Sequence, residues 1–92
     1  MTDLELTKLC AEAMGFEIDG DICWDGGKQY RPLDNDHQAM ALVKKFGANL
    51  CQNPELISWY VSVLGGSAHD PDLNRSIVKC IATSFSSAIL KP

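Results

Sequence analysis

The stretch Tyr30 to Gly47, YRPLDNDHQAMALVKKFG, constrains the fold of this chain more than any other. An extended entry through Pro32 and Leu33 leads to Asp34, whose carboxylate suits the free N–H groups of a first helical turn. Met40, Val43 and Phe46 then recur at helical spacing, Lys44 and Lys45 fall in the last turns, and Gly47 is a stop signal. The spacing predicts a helix from about Asn35 to Phe46. Eighteen residues therefore set a strand exit, a helix and its end, but no chemistry.

The helices on either side carry equally local signals. Thr2 with Glu5 matches a capping box, Leu6, Leu9, Cys10, Ala13 and Met14 share one face, and Gly15 closes that first helix. At the other end, Asp70-Pro71-Asp72 reads as a helix start with Asp70 as the cap and proline in the first turn. Leu73, Ile77, Cys80, Ile81 and Ala88 form one stripe of that helix, and Val78, Ala82, Phe85 and Ile89 a neighbouring one. A helix so widely apolar is either the central packing element or also meets a partner.

Between the helices the apolar period drops from near four to two. Phe16, Ile18, Ile22 and Trp24 share a parity, so Phe16 to Trp24 reads as a strand, with Gly20 as a bulge. Asp25-Gly26-Gly27 is a turn that returns the chain through Lys28 to Arg31, where Pro32 ends the pairing. Ala48 to Cys51 is a short extended piece, Gln52 to Glu55 a turn, and Ile57 to Leu64 a strand alternating around Trp59, Val61 and Val63. Gly65-Gly66-Ser67 should end it. The reading is a single α+β domain over residues 1–92: a small antiparallel sheet of three to four strands packed with three helices, in the order α-β-β-α-β-β-α.

Composition bounds the function classes. With 46% hydrophobic and 22% charged residues, the chain has enough apolar surface to fold as one domain. Twelve acids against eight bases give a net charge of -4, which opposes a nucleic-acid partner. Four of the acids, Glu17, Asp19, Asp21 and Asp25, crowd one segment. Cys10, Cys23, Cys51 and Cys80 include no close pair, and the start MTDLELT lacks a secretion-signal layout. Reduced thiols serving as small core hydrophobes in a cytoplasm are the expectation, with no membrane span and no disulfide.

The signatures LTKLCAEAMGF at 6–16, YRPLDNDHQAMALVKKFG at 30–47 and DLNRSIVKCIA at 72–82 resemble small bacteriophage and prophage proteins of uncharacterised function. The similar families are the phage proteins with an α-β-α sandwich domain and the NinX-like accessory proteins. The resemblance spans nearly the whole chain. It implies a virus- or prophage-encoded accessory protein made in the cytoplasm of a bacterial host, and it brings no catalytic or binding residues with it.

Candidate chemistry is thin. His37 near Asp34 and Asp36 could be an oriented base, yet a solvated histidine suits a first helical turn; His69 beside Asp70 reads as a loop residue. Cys23, in ICWDGG near the turn, is the one cysteine expected to be exposed as a nucleophile, but a reactive thiol needs a partner that lowers its pKa. Zinc ligands come in close pairs, absent here, and Gly26-Gly27-Lys28 lacks the phosphate-loop pattern. No enzyme activity, cofactor or metal is expected.

The better hints are surface-like. Trp24, Lys28, Tyr30 and Arg31 flank the first hairpin, and Tyr60 falls on the outer face of the long strand. Such residues serve as binding anchors, although Trp24 and Tyr30 could equally be half-buried cross-strand neighbours. Two functions follow as expectations. One is binding of a host or viral protein, with a homodimer through the third helix or a strand edge as a variant. The other is capture of a small ligand, such as a nucleotide signal of host defence, stacked on the aromatics and neutralised by Lys28 and Arg31.

Overall fold

The computed structural model describes residues 2–55, 58–63 and 66–90, the side chains of 53 and 87–90 excepted. Thr2 caps the first helix, α1 (Asp3–Met14), by accepting from the Glu5 amide, and Gly15 ends it at φ 77°. A three-stranded antiparallel sheet follows: β1 (Glu17–Asp19), β2 (Ile22–Asp25) and β3 (Lys28–Gln29). The second helix, α2 (Asp36–Phe46), leads into β4 (Asn49–Asn53), β5 (Ser58–Val63) and β6 (Gly66–Asp70), a second antiparallel sheet in that order. The last helix, α3 (Leu73–Leu90), closes the chain.

The α+β class therefore holds, with one sheet replaced by two and the order α-β-β-β-α-β-β-β-α. Both extra strands come from glycines that are turns or strand residues where a bulge or a stop was expected. Gly20 (φ 60°) opens a two-residue turn that pairs Asp19 with Ile22, so 16–24 is a hairpin and not one strand. Gly66 begins β6, which makes His69 a strand residue and not a loop residue. The long strand itself is described from Ser58 to Val63; Ile57, Leu64 and Gly65 lie outside the described residues.

Two caps also move. Asn35, not Asp34, accepts from the Gln38 amide and starts α2, because Asp34 is engaged by Arg31 at 2.7 Å. At α3 the Ser76 amide bonds the Asp72 carbonyl, which makes Asp72 the cap. Asp70 instead accepts from the Asp72 amide at 3.0 Å and from Lys79 at 3.2 Å, and forms an ion pair with Arg75 at 3.6 Å.

One helix organises the interior. α3 packs on α1 and α2 and on β5 and β6, with Ile77, Val78, Cys80, Ile81 and Ala82 all buried. Its wide apolar surface over 76–82 is thus covered by the chain itself; the side chains of Ala88 and Ile89 lie outside the described residues. From α2 the buried residues are Gln38, Ala39 and Leu42, while Met40 and Phe46, expected on the inner stripe, are exposed. The first sheet packs on α1 through Ile18 and Cys23.

Candidate functional site

The residues around the first hairpin divide into an inner set and an outer set, and the turn at Gly20 decides which is which. A two-residue loop places Ile18 opposite Cys23, Glu17 opposite Trp24 and Asp19 opposite Ile22. Cross-strand partners share a face, so buried Cys23 and half-buried Ile18 point inward and the other four point out. Trp24 thereby joins the polar parity, contrary to the expected alternation. Ile22 and Trp24 are 41% and 36% exposed.

Tyr30 belongs to the inner set and is 2% exposed. Its ring meets Phe16 edge-on with centroids 4.9 Å apart. Its hydroxyl is buried with no hydrogen-bond partner among the described residues. Burial, with smaller contributions from Cys10, Asp25 and Cys23, pushes its pKa above the ordinary phenol value. Arg31 is exposed and holds Asp34, and Lys28 is exposed at the start of β3, paired in register with Asp25. Tyr60 lies on the second sheet, half-buried, its ring 4.7 Å from that of its cross-strand neighbour His69. Of the five expected anchors, Trp24 and Lys28 are thus exposed on the first hairpin, Arg31 is tied to a carboxylate, Tyr30 is core, and Tyr60 is in another sheet.

Gln38 was not anticipated and proves central to this region. Its Oε1 accepts from the Arg31 amide at 2.6 Å, while Nε2 donates to the Gln29 carbonyl at 3.1 Å and to Asp25 at 3.5 Å. The carboxamide acts as a substitute peptide group along the free side of β3. A sequence signal existed: Gln38 sits next to Ala39 and one turn from Leu42, on the face that α2 buries.

A cleft of about 250 Å³ opens between the start of α1 and this hairpin, lined in part by Asp3, Thr7, Asp21, Cys23, Arg31 and Asp34. Each of its carboxylates has a cation: Arg75 at 2.8 Å from Asp3, Lys8 at 3.5 Å from Asp21, and Arg31 beside Asp34. His37 is not among the described lining residues, so Cys23, His37 and Asp34 do not converge there. Burial is the main influence on the Cys23 thiol and raises its pKa, against a smaller lowering by Lys8. A thiol held protonated is a poor nucleophile. Among the described residues no group of His, Cys, Asp and Glu is placed to hold a metal ion, and no helix is long and apolar enough to cross a membrane.

No family model, no curated protein and no solved structure matches this chain.

Proposed function

We propose that the chain is a phage- or prophage-encoded accessory protein that acts without catalysis, by binding a host or viral protein in the host cytoplasm. The viral origin rests on the resemblance at 6–16, 30–47 and 72–82. One observation supports the binding role. Ile22 and Trp24 stand two residues apart on the outward face of β2, each with an acid, Asp19 and Glu17, directly across the strand pair. Both side chains remain exposed to solvent there.

Large apolar side chains in water are favourable contacts not yet made, and tryptophan is a frequent anchor of interfaces. The fitting partner offers an apolar pocket rimmed by Lys or Arg, to which Glu17 and Asp19 give orientation and encounter rate. The hairpin is well braced for this: Gly26 and Gly27, at φ 56° and 94°, form its second turn, and Gln38 ties β3 to α2. Capture of an anionic nucleotide has weaker support. The Tyr30 ring is core, Arg31 is occupied by Asp34, and three carboxylates line the cleft.

Affinity capture from infected host cells tests the reading, with the native chain and an Ile22→Ser/Trp24→Ala variant as parallel baits. A protein retained by the first and lost by the second, both baits being folded, is the expected result. Equal retention by both, or none by either, overturns it.

A further inference from the structure

The two sheets present four terminal strands, and three of their edges are closed or charged. Beyond β3, the Gln29 carbonyl and the Arg31 amide are taken by Gln38. Along β6, the carbonyls of Gly66, Ala68 and His69 accept from Cys80, Ser76 and Lys79 of α3 at 3.7, 3.3 and 3.2 Å. β1 is short and bears exposed Glu17 and Asp19, a charge pair that repels another copy of itself. β4 differs. It is five residues long, terminal in its sheet, and lies within an uncharged run from Gly47 to Pro54 of an otherwise acidic chain. Asn49, Cys51 and Gln52 are exposed, and no hydrogen bond from another element reaches its outer edge among the described residues.

We propose that a second copy of this chain pairs with β4 edge to edge, antiparallel about Cys51, so that the two outer sheets join into one of six strands. The occupant follows from the strand itself. Asn49-Leu50-Cys51-Gln52-Asn53 has asparagine at both ends, so a two-fold axis at Cys51 sets Asn49 against Asn53 and Leu50 against Gln52, with no charge on either strand. An unrelated charged strand gains nothing from this edge, whereas a copy of it meets no repulsion. Joining also makes the outer row of Cys51, Tyr60 and His69, which are opposite one another in β4, β5 and β6, continuous across both copies. The proposal is independent of the hairpin face, which lies on the other sheet.

Two antiparallel residues on such an axis have Cα atoms about 4.5–5.5 Å apart, within the span of a disulfide. The full chain, kept reduced and then treated briefly with diamide under native conditions, reports the contact. Two Cys51 thiols lose two protons and two electrons to diamide, which becomes its hydrazine, and one S–S bond forms. The expected product is a covalent dimer that is lost in Cys51→Ser. In light scattering of the reduced protein over a concentration series into the millimolar range, mass rises from 10.1 kDa towards twice that for wild type and Cys51→Ser. Cys51→Lys, which sets two cations face to face at an exposed position, stays monomeric. Amide exchange of wild-type β4 should slow with concentration, a readout needing no variant. A constant 10.1 kDa mass without trapping, a trapped dimer that survives Cys51→Ser, or a dimer indifferent to Cys51→Lys each overturns the proposal.

Discussion

The Gln38 side chain receives the Arg31 amide at 2.6 Å, a bond that joins the first turn of α2 to the strand leading into it. The same carboxamide satisfies the Gln29 carbonyl, and the Gln38 backbone amide is held by Asn35. A group 6% exposed with its polar atoms matched contributes little net energy while intact, yet costs much when cut. It also removes the free edge of a short strand.

Gln38→Ala should therefore destabilise the protein by about 1–2 kcal/mol, since it leaves the part-buried Arg31 amide and Gln29 carbonyl without their partner. Gln38→Glu should behave similarly, because a carboxylate cannot donate to Gln29 and faces Asp25. Urea denaturation measures both; midpoints equal to wild type would mean that water replaces the carboxamide at no cost.

Tyr30 presents the opposite situation, a buried hydroxyl without a partner among the described residues. Tyr30→Phe should be neutral or stabilising by up to about 1 kcal/mol, whereas Tyr30→Ala should cost about 3–5 kcal/mol through the cavity it opens. Thermal unfolding distinguishes the two. A substantial loss in the phenylalanine variant would reveal a hydrogen bond to that hydroxyl.

Alkaline stability should reflect the buried thiols. Burial pushes Cys10 from 9.0 up to about 12, and raises Cys23, Cys80 and Tyr30 as well. For a group whose folded pKa is the higher, the unfolded chain gives up its proton first. Stability from Cys10 is therefore complete below pH 9.0 and is lost as pH climbs towards 12, by about 1.4 kcal/mol per pH unit. Denaturation midpoints measured at rising pH should fall, and Cys10→Ser should lessen the slope. A flat profile in wild type would contradict the placement of Cys10 in the core.

Asp70 collects the Asp72 amide and the cations of Arg75 and Lys79 with its side chain only 15% exposed. Asp70→Ala should cost about 1.5–3 kcal/mol and resist screening by added salt, because part of the loss is a hydrogen bond to a charged acceptor. Asp3→Ala, at an exposed pair with Arg75, should do less and fade with salt. The salt titration of both variants makes the comparison; equal losses would deny Asp70 a special role.

Gly66 is needed for space. A Cβ there would run into Ser84 Oγ on α3. Gly66→Ala should cost about 1–3 kcal/mol from crowding, and Ser84→Ala in the same chain should recover much of it. A double-mutant cycle that sums without coupling would rule out the contact.

Much of the fold follows from neighbours in the chain. Thr2 with Glu5, Gly15, Gly47 and Asp25-Gly26-Gly27 act within one turn or one loop, so their backbone chemistry suffices. The expected extent of α2 agrees with the observed helix within a residue. The missed features needed distant partners. Asp34 and Asn35 are both able caps, and Arg31 settles the choice by taking Asp34. His69 gained its strand because β5 lay ready to pair with it.

The same division separates what residue order alone determined from what tertiary structure decided. The three helices, the Thr2 cap, the Gly15 and Gly47 stops, the Asp25-Gly26-Gly27 turn and the α+β class came from local propensity and periodicity. Whether Trp24 faced core or water could not, because a single tight turn at Gly20 reverses every later parity. Nor could the burial of Tyr30, the clamp at Gln38 or the bare edge of β4. Each depends on which surface another element covers, and burial energy is a property of the assembled contact rather than of the residue that makes it.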